Sequence, residues 1–310
     1  MIIHPGFVGC DVSKHHLDIF DTSSGVHERI VNAAPELAAW ACKRAGDGEL
    51  IVFEATGGYD RALRQALAAG GCRSVRVNPG RARDFAKAAG YLAKTDRVDA
   101  RMLAVMGQAL GLAAEAPADP TRERLALLVK RRDQLVEMRA QEQTRRAEIA
   151  DKAVRTDLEA HIAWLAKRIV RFNLDIALAC KQSPAIARET ALTRTAPGVG
   201  KVTASVLAAL LPELGARSPK AIAALAGLAP FAADSGQWRG QRRIKGGRRR
   251  VRQALYMAAL AAIRSDTIFA VFYKRLRAAG KPAKLALIAV ARKLLTTLNA
   301  MVRDNVAFQS

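Results

Sequence analysis

Four acidic side chains in a strongly cationic chain have the types and spacing for phosphate chemistry. They are Asp11 in GFVGCDVS, Glu54 in ELIVFEATGG, and Asp96 and Asp99 in KTDRVDA. Asp11 and Glu54 lie near the ends of apolar, strand-like runs. Asp96 and Asp99 are three residues apart and would share one face of a helix. Carboxylates gathered from strand ends and a helix repel one another unless a cation joins them. Mg²⁺ is the usual one, held by oxygen ligands, with Mn²⁺ as a substitute. Phosphodiester chemistry needs an activated nucleophile and a stabilised leaving oxygen, and two such ions about 4 Å apart serve both ends. Any one of these acids alone would read as a turn former or a helix cap. Together they read as a metal-binding tetrad. Asp18, Asp21, Asp60 and Asp84 are read as structural, Asp18 as a mid-strand residue of a hairpin.

The segment DSGQWRGQRRIKGGRRRVR carries the opposite charge. Arg239, Arg242, Arg243, Lys245, Arg248, Arg249, Arg250 and Arg252 follow one another with no acid between them. Such a run repels itself unless a polyanion lies against it, and Arg forks suit phosphate oxygens. Trp238 could stack on a base or anchor the loop. Ser235 opens this segment. A serine among arginines and glycines can be a phosphoryl acceptor, although Ser-Gly is also a common turn and no His stands nearby as a base. Upstream, TAPGVGKVTASVLAAL has the form of a helix-hairpin-helix element. Gly198, Gly200 and Lys201 would offer backbone N–H groups and a cation to a phosphate, or simply form a glycine-rich helical turn.

These groups must be positioned by a chain of 310 residues with a net charge of +22 and a pI near 10.7. That charge favours nucleic acid or an anionic surface as partner. The longest apolar stretches are broken by Arg, Lys or Gly, so no membrane span is expected. The N-terminus lacks the pattern of a signal peptide. Cys10, Cys42, Cys72 and Cys180 show no CxxC spacing and the histidines no HxxxH pair, which argues against zinc and for reduced thiols in the cytoplasm. Charge is uneven: residues 1–117 hold 14 Lys and Arg against 13 Asp and Glu, whereas residues 191–310 hold 21 against 4. The first third carries the acids and the last third would carry most of the backbone contacts.

Residues 6–32 read as a three-stranded meander, followed by a helix from Pro35 to Arg44. ELIVFEAT reads as a strand buried on both faces, then come a helix over 59–69, the strand SVRVNP and a helix over 80–89. Three antiparallel strands and then alternating helix and parallel strand is the order of a ribonuclease H-like α/β domain. Pro117 and Pro120 mark its end. Residues 118–190 read as a helical region in which Leu158, Ile162, Leu165, Ile169, Phe172 and Ile176 form a heptad seam. The seam serves either a helix pair within one chain or a coiled coil between two. Residues 191–310 read as a basic, mainly α-helical domain.

In combination these segments resemble the Piv/MooV-type DEDD transposases, a family that includes DNA invertases and bridge-RNA-guided recombinases. The resemblance runs from GCDVSKHHLDIF through FEATGGYDRAL and KTDRVDARMLA to TAPGVGKVTASVLAAL and LAGLAPFAADSGQWRGQRRIKGGRRRVRQALYMAALAA. It implies a RuvC-like domain, a coiled-coil region and a C-terminal transposase domain. It implies that Asp11, Glu54, Asp96 and Asp99 hold the metal and that Ser235 attacks a DNA phosphate to leave a phosphoserine. Homo-oligomers, with the acids of one subunit paired to the serine of another, are implied as well. Some members select their double-stranded DNA with a structured non-coding RNA, and the basic third here could hold either nucleic acid.

Three other readings are separable. A RuvC-like nuclease using water would not need Ser235. A sugar-kinase-like phosphotransferase would need a second α/β half, which residues 118–310 do not supply. A non-enzymatic nucleic-acid-binding protein would leave the acidic pocket inert.

Overall fold

The computed structural model describes residues 6–91, 96–117, 119–231, 242–264 and 266–309. The chain forms two compact units, Met1–Ala118 and Asp119–Ser310.

In the first unit, β1 (Phe7–Val12), β2 (His16–Asp21) and β3 (His27–Val31) form the antiparallel meander. Then follow α1 (Ala34–Lys43), β4 (Leu50–Glu54), α2 (Arg61–Ala69), β5 (Ser74–Val77), α3 (Pro79–Ala88) and α4 (Asp96–Ala109). The sheet order is β3-β2-β1-β4-β5, with β4 parallel to both β1 and β5. This is the mixed five-stranded sheet of a ribonuclease H-like domain. Its strand residues alternate between two apolar layers, as a period of two requires. Cys10, Ile51 and Phe53 pack with Leu37, Trp40, Leu63 and Leu67 of α1 and α2. Phe7, Leu50 and Val52 pack with Leu103 and Met106 of α4 on the opposite face. The unbroken run LIVFE is therefore covered on both sides.

Helix α4 lies unusually close to β1. A Cβ placed on Gly9 would come within 1.9 Å of the Ala100 carbonyl oxygen and 2.6 Å of the Ala104 amide nitrogen. Ala100 and Ala104 stand one turn apart on the inward face of α4, so small residues meet a glycine and the backbones touch. Arg44 closes the far end of the unit. Its Nη1 donates to Asp21 at 2.7 Å and to Glu49 at 2.8 Å. Burial alone would raise the Asp21 carboxyl, but hydrogen bonds from Ser23 and Arg44 overcome it and hold it well below the usual range.

The second unit comprises α5 (Pro120–Glu148), α6 (Lys152–Gln182), α7 (Pro184–Thr193), α8 (Lys201–Leu210), α9 (Pro219–Leu225), β6 (Pro230–Phe231), β7 (Arg243–Ile244), α10 (Arg249–Ala262), α11 (Ile268–Ala278) and α12 (Ala283–Asp304). A capping residue followed by proline opens three of these helices: Asp119-Pro120, Ser183-Pro184 and Ser218-Pro219. Helices α5 and α6 are a hairpin within one chain. Leu135 packs with Leu165 and Ile169, and Val129 with Ile176, so most of the heptad seam is consumed internally. The face of α6 opposite that seam carries Trp164, Val170, Leu174 and Leu178, all exposed. Among the described residues after 190, the regular elements are helices apart from the short β6–β7 ladder.

Helix α12 departs from expectation. By length and composition it is apolar enough to cross a membrane, although no such span was expected from the sequence. Arg292 and Lys293 interrupt the run without lowering its average enough. Half of the stretch is buried within the unit. Leu294, Leu295 and Leu298 form its centre with Leu207, Leu255 and Phe269. Asn299, buried among them, accepts from Gly215 N and donates to the Arg217 carbonyl, each at 2.9 Å, so its polarity is satisfied.

Candidate active site and nucleic-acid interface

Asp11 and Glu54 stand at the carboxyl ends of β1 and β4, where the Cys10–Phe53 register leaves them side by side. By strand parity both fall on the face covered by α4. Asp96 and Asp99 occupy the first turn of α4. The close seat of α4 on Gly9 carries that turn to the Asp11 end of β1. Asn32 ties the rim, donating to the carbonyls of Ser13 at 2.8 Å and Tyr59 at 3.0 Å, in the loops that follow the two strands.

Electrostatics report the convergence. The Asp11 carboxyl is pushed up from 3.8 to about 6, first by burial and then by the charges of Asp99, Asp96, Glu54 and Asp18. The other three acids of the sequence motif therefore all act on Asp11. They do not close into a ligand cage: among the described residues no group of three His, Cys, Asp or Glu side chains is gathered tightly enough to hold a metal ion. Arg29 on β3 accounts for part of this. Its guanidinium donates to both oxygens of Asp18 at 2.9 Å and to Asp96 at 3.2 Å, drawing Asp96 toward β3. In donor type the four carboxylates fit a hard divalent cation.

Asp18 was read as purely structural from the sequence. It pairs directly with Asp11 across β1 and β2 and contributes to the same negative field. A charged residue between Leu17 and Ile19, both buried, was the available signal.

The basic segment divides. Ser235, Trp238 and Arg239 lie outside the described residues, between β6 and β7 in sequence. Arg248, Arg250 and Arg252 are tied into the unit. Arg248 pairs with Glu213, its Nη2 at 2.6 Å. Burial would raise the Glu213 carboxyl, but Arg248 overrides it and holds it below its usual range. Arg250 pairs with Asp133 of α5. Arg252 donates to the Gly246 carbonyl at 2.7 Å. Arg242, Arg243, Lys245 and Arg249 are exposed and pair with no acid among the described residues. In the PGVG turn, Gly198 has φ +79° and an added Cβ would lie 2.2 Å from the Ala258 carbonyl oxygen of α10, so packing alone demands glycine there. Gly200 caps α8 and Lys201 opens it, both exposed.

Comparison with known proteins agrees with this layout. Residues 8–153 match the DEDD transposase family model of the IS110 type, and residues 190–274 match the model described as transposase IS116/IS110/IS902 family. The pilin gene-inverting protein of Moraxella bovis is 30% identical over 262 residues, covering 83% of this chain and 81% of that protein. The chain belongs to the IS110/IS902 family of DEDD transposases. It is an enzyme of the transposase and DNA-invertase class, and membership implies DNA binding and a divalent metal. The pilin gene-inverting protein of Moraxella lacunata is similar at 29% identity over the same length. The uncharacterized 43.6 kDa protein of insertion element IS110 from Streptomyces coelicolor is 37% identical over 117 residues, 37% of this chain and 29% of that protein.

Proposed function

We propose that this chain is a site-specific recombinase of a mobile element that cuts and rejoins double-stranded DNA through Ser235. The observation that carries the reading is the convergence on Asp11, at the carboxyl end of β1, of Glu54 at the end of β4 and of Asp96 and Asp99 in the first turn of α4. These acids hold Mg²⁺, with Mn²⁺ as a substitute, and the bound metal supplies charge neutralisation at the phosphate. The Ser235 oxygen bonds to phosphorus as the bond from phosphorus to a sugar oxygen breaks, and the serine proton ends on that oxygen. The reverse step with a second strand restores a phosphodiester and frees the serine.

The exposed cations Arg242, Arg243, Lys245 and Arg249, together with Lys201, hold the phosphate backbone. A structured guide RNA is a second polyanion suited to the same surface. Sequencing the nucleic acid that co-purifies tests it: a discrete RNA supports guidance and random fragments count against it. We assign association between copies to the outward apolar face of α6, since the heptad seam is spent within the chain.

The decisive experiment offers a nicked DNA substrate to the wild type and to Ser235→Ala. The wild type should yield a covalent protein–DNA adduct and recombinant product, and the variant neither. Recombination by Ser235→Ala would end the serine assignment. Cleavage by it without an adduct would favour the water-using nuclease.

A further inference from the structure

Helices α5, α6, α7, α8 and α10 enclose a cleft of about 850 Å³ that neither the acidic cluster nor the basic hairpin explains. Its size falls in the ~300–1,000 Å³ range of small-ligand sites. Val129, Ile176, Ala177 and Val202 give it an aliphatic lining. Arg132, Lys181, Arg194, Lys201 and Arg250 bring five cations to it, against the single carboxylate of Asp133. That carboxylate is already shared, bonded by Arg250 and, at 3.2 Å, by Arg132. Lys181, Arg194 and Lys201 form no ion pair among the described residues. The Arg132 Nε donates to Asn173 at 3.2 Å, which fixes the plane of its guanidinium.

An apolar floor beneath uncompensated cations suits a ligand that is flat and apolar at one end and anionic at the other. Inorganic phosphate would leave the floor unused. A stacked duplex would present only its backbone. We propose that the cleft receives one unstacked nucleotide of a bound strand, its base over Ile176 and Val202 and its phosphates at Lys181, Arg194 and Lys201. Among the described residues no aromatic side chain lines the cleft, so the Arg132 guanidinium offers the stacking plane. The proposal rests on the reading of this protein as a nucleic-acid enzyme.

The test is photocrosslinking of the full chain to single-stranded oligonucleotides, one DNA arm carrying 4-thiothymidine and one RNA arm carrying 4-thiouridine. A third arm adds free dTMP or UMP as competitor. Adducts from either strand should map to residues 173–181 or 201–206, and the arm that reacts identifies the source. A competitor that erases them would show that a free nucleotide suffices. Ala177→Trp, which fills the cleft from an exposed position and leaves every charge in place, should lower the yield about tenfold, the scale of one lost base contact. Its melting curve reports whether it folds. Lys181→Glu is a second variant and should lower the yield in the same way. Adducts confined to other peptides, or full yield in both folded variants, would overturn the nucleotide site. If that happens while the wild type still binds duplex DNA, the proposed function stands. If the wild type binds no nucleic acid at all, both fall.

Discussion

Asp11 is the residue on which the chemistry turns, and its ionisation makes the cluster testable without DNA. Its carboxyl rises from 3.8 to about 6 in the metal-free fold. The folded chain therefore holds a proton that the unfolded chain has lost between about pH 4 and pH 6, and stability falls as pH rises through that window. Asp11→Asn should remove this penalty. In EDTA near pH 7 we expect the variant to be more stable by about 1 kcal/mol, after discounting for partial solvent screening. Strand exchange should disappear at the same time. Melting curves at about pH 5 and pH 8 check the sign: the advantage of the variant should grow with pH, and a constant difference would show that Asp11 is not repelled. Metal should reverse the trend, since a bound cation favours the ionised form. Wild-type affinity for Mn²⁺ should accordingly weaken below about pH 6.

At the scale of elements, the contact of α4 with β1 sets where the acids meet. Gly9→Ala inserts a methyl against the Ala100 carbonyl and should push the helix outward. Overpacking of this kind costs about 1–3 kcal/mol. Because Asp96 and Asp99 ride on that helix, Mn²⁺ binding measured by calorimetry should weaken beyond what melting predicts. Unchanged Mn²⁺ binding in a destabilised variant would separate the contact from the site. The succession of strands and helices along the chain, the meander and the doubly buried β4 could be read from alternation and turn residues, because those signals are local. The role of Gly9 could not, since nothing in GFVGCDVS says which helix will lie on it. Asp18 shows the same limit. Its position opposite Asp11 is a matter of register, and its partner Arg29 comes from a third strand. The helix hairpin of residues 120–182 could have been divided from sequence, because Asp151 is a capping residue whose side chain accepts from Val154 N at 2.9 Å. Its charged surroundings obscured that signal.

For the molecule as a whole, charge separates the two units. The acids lie in the nearly neutral one and the cations in the other. Eight consecutive cations looked equivalent in sequence, yet Arg248, Arg250 and Arg252 brace the fold, as only tertiary contacts could reveal. The four that are exposed among the described residues should carry phosphate. Replacing Arg242, Arg243, Lys245 and Arg249 together with Gln should reduce the salt slope of duplex binding by about 3–4, at roughly 0.9 per phosphate contact. Filter binding across a salt series measures it, and a change below about one would place those side chains away from the backbone. The close seat of α4 also bears on how such elements are counted in genomes. Copies decay by point mutation, and an inventory that checks only the acidic positions would score as intact a copy whose ninth residue has gained a methyl. Competence to move should follow the glycine as strictly as the carboxylates, so the inventory needs both.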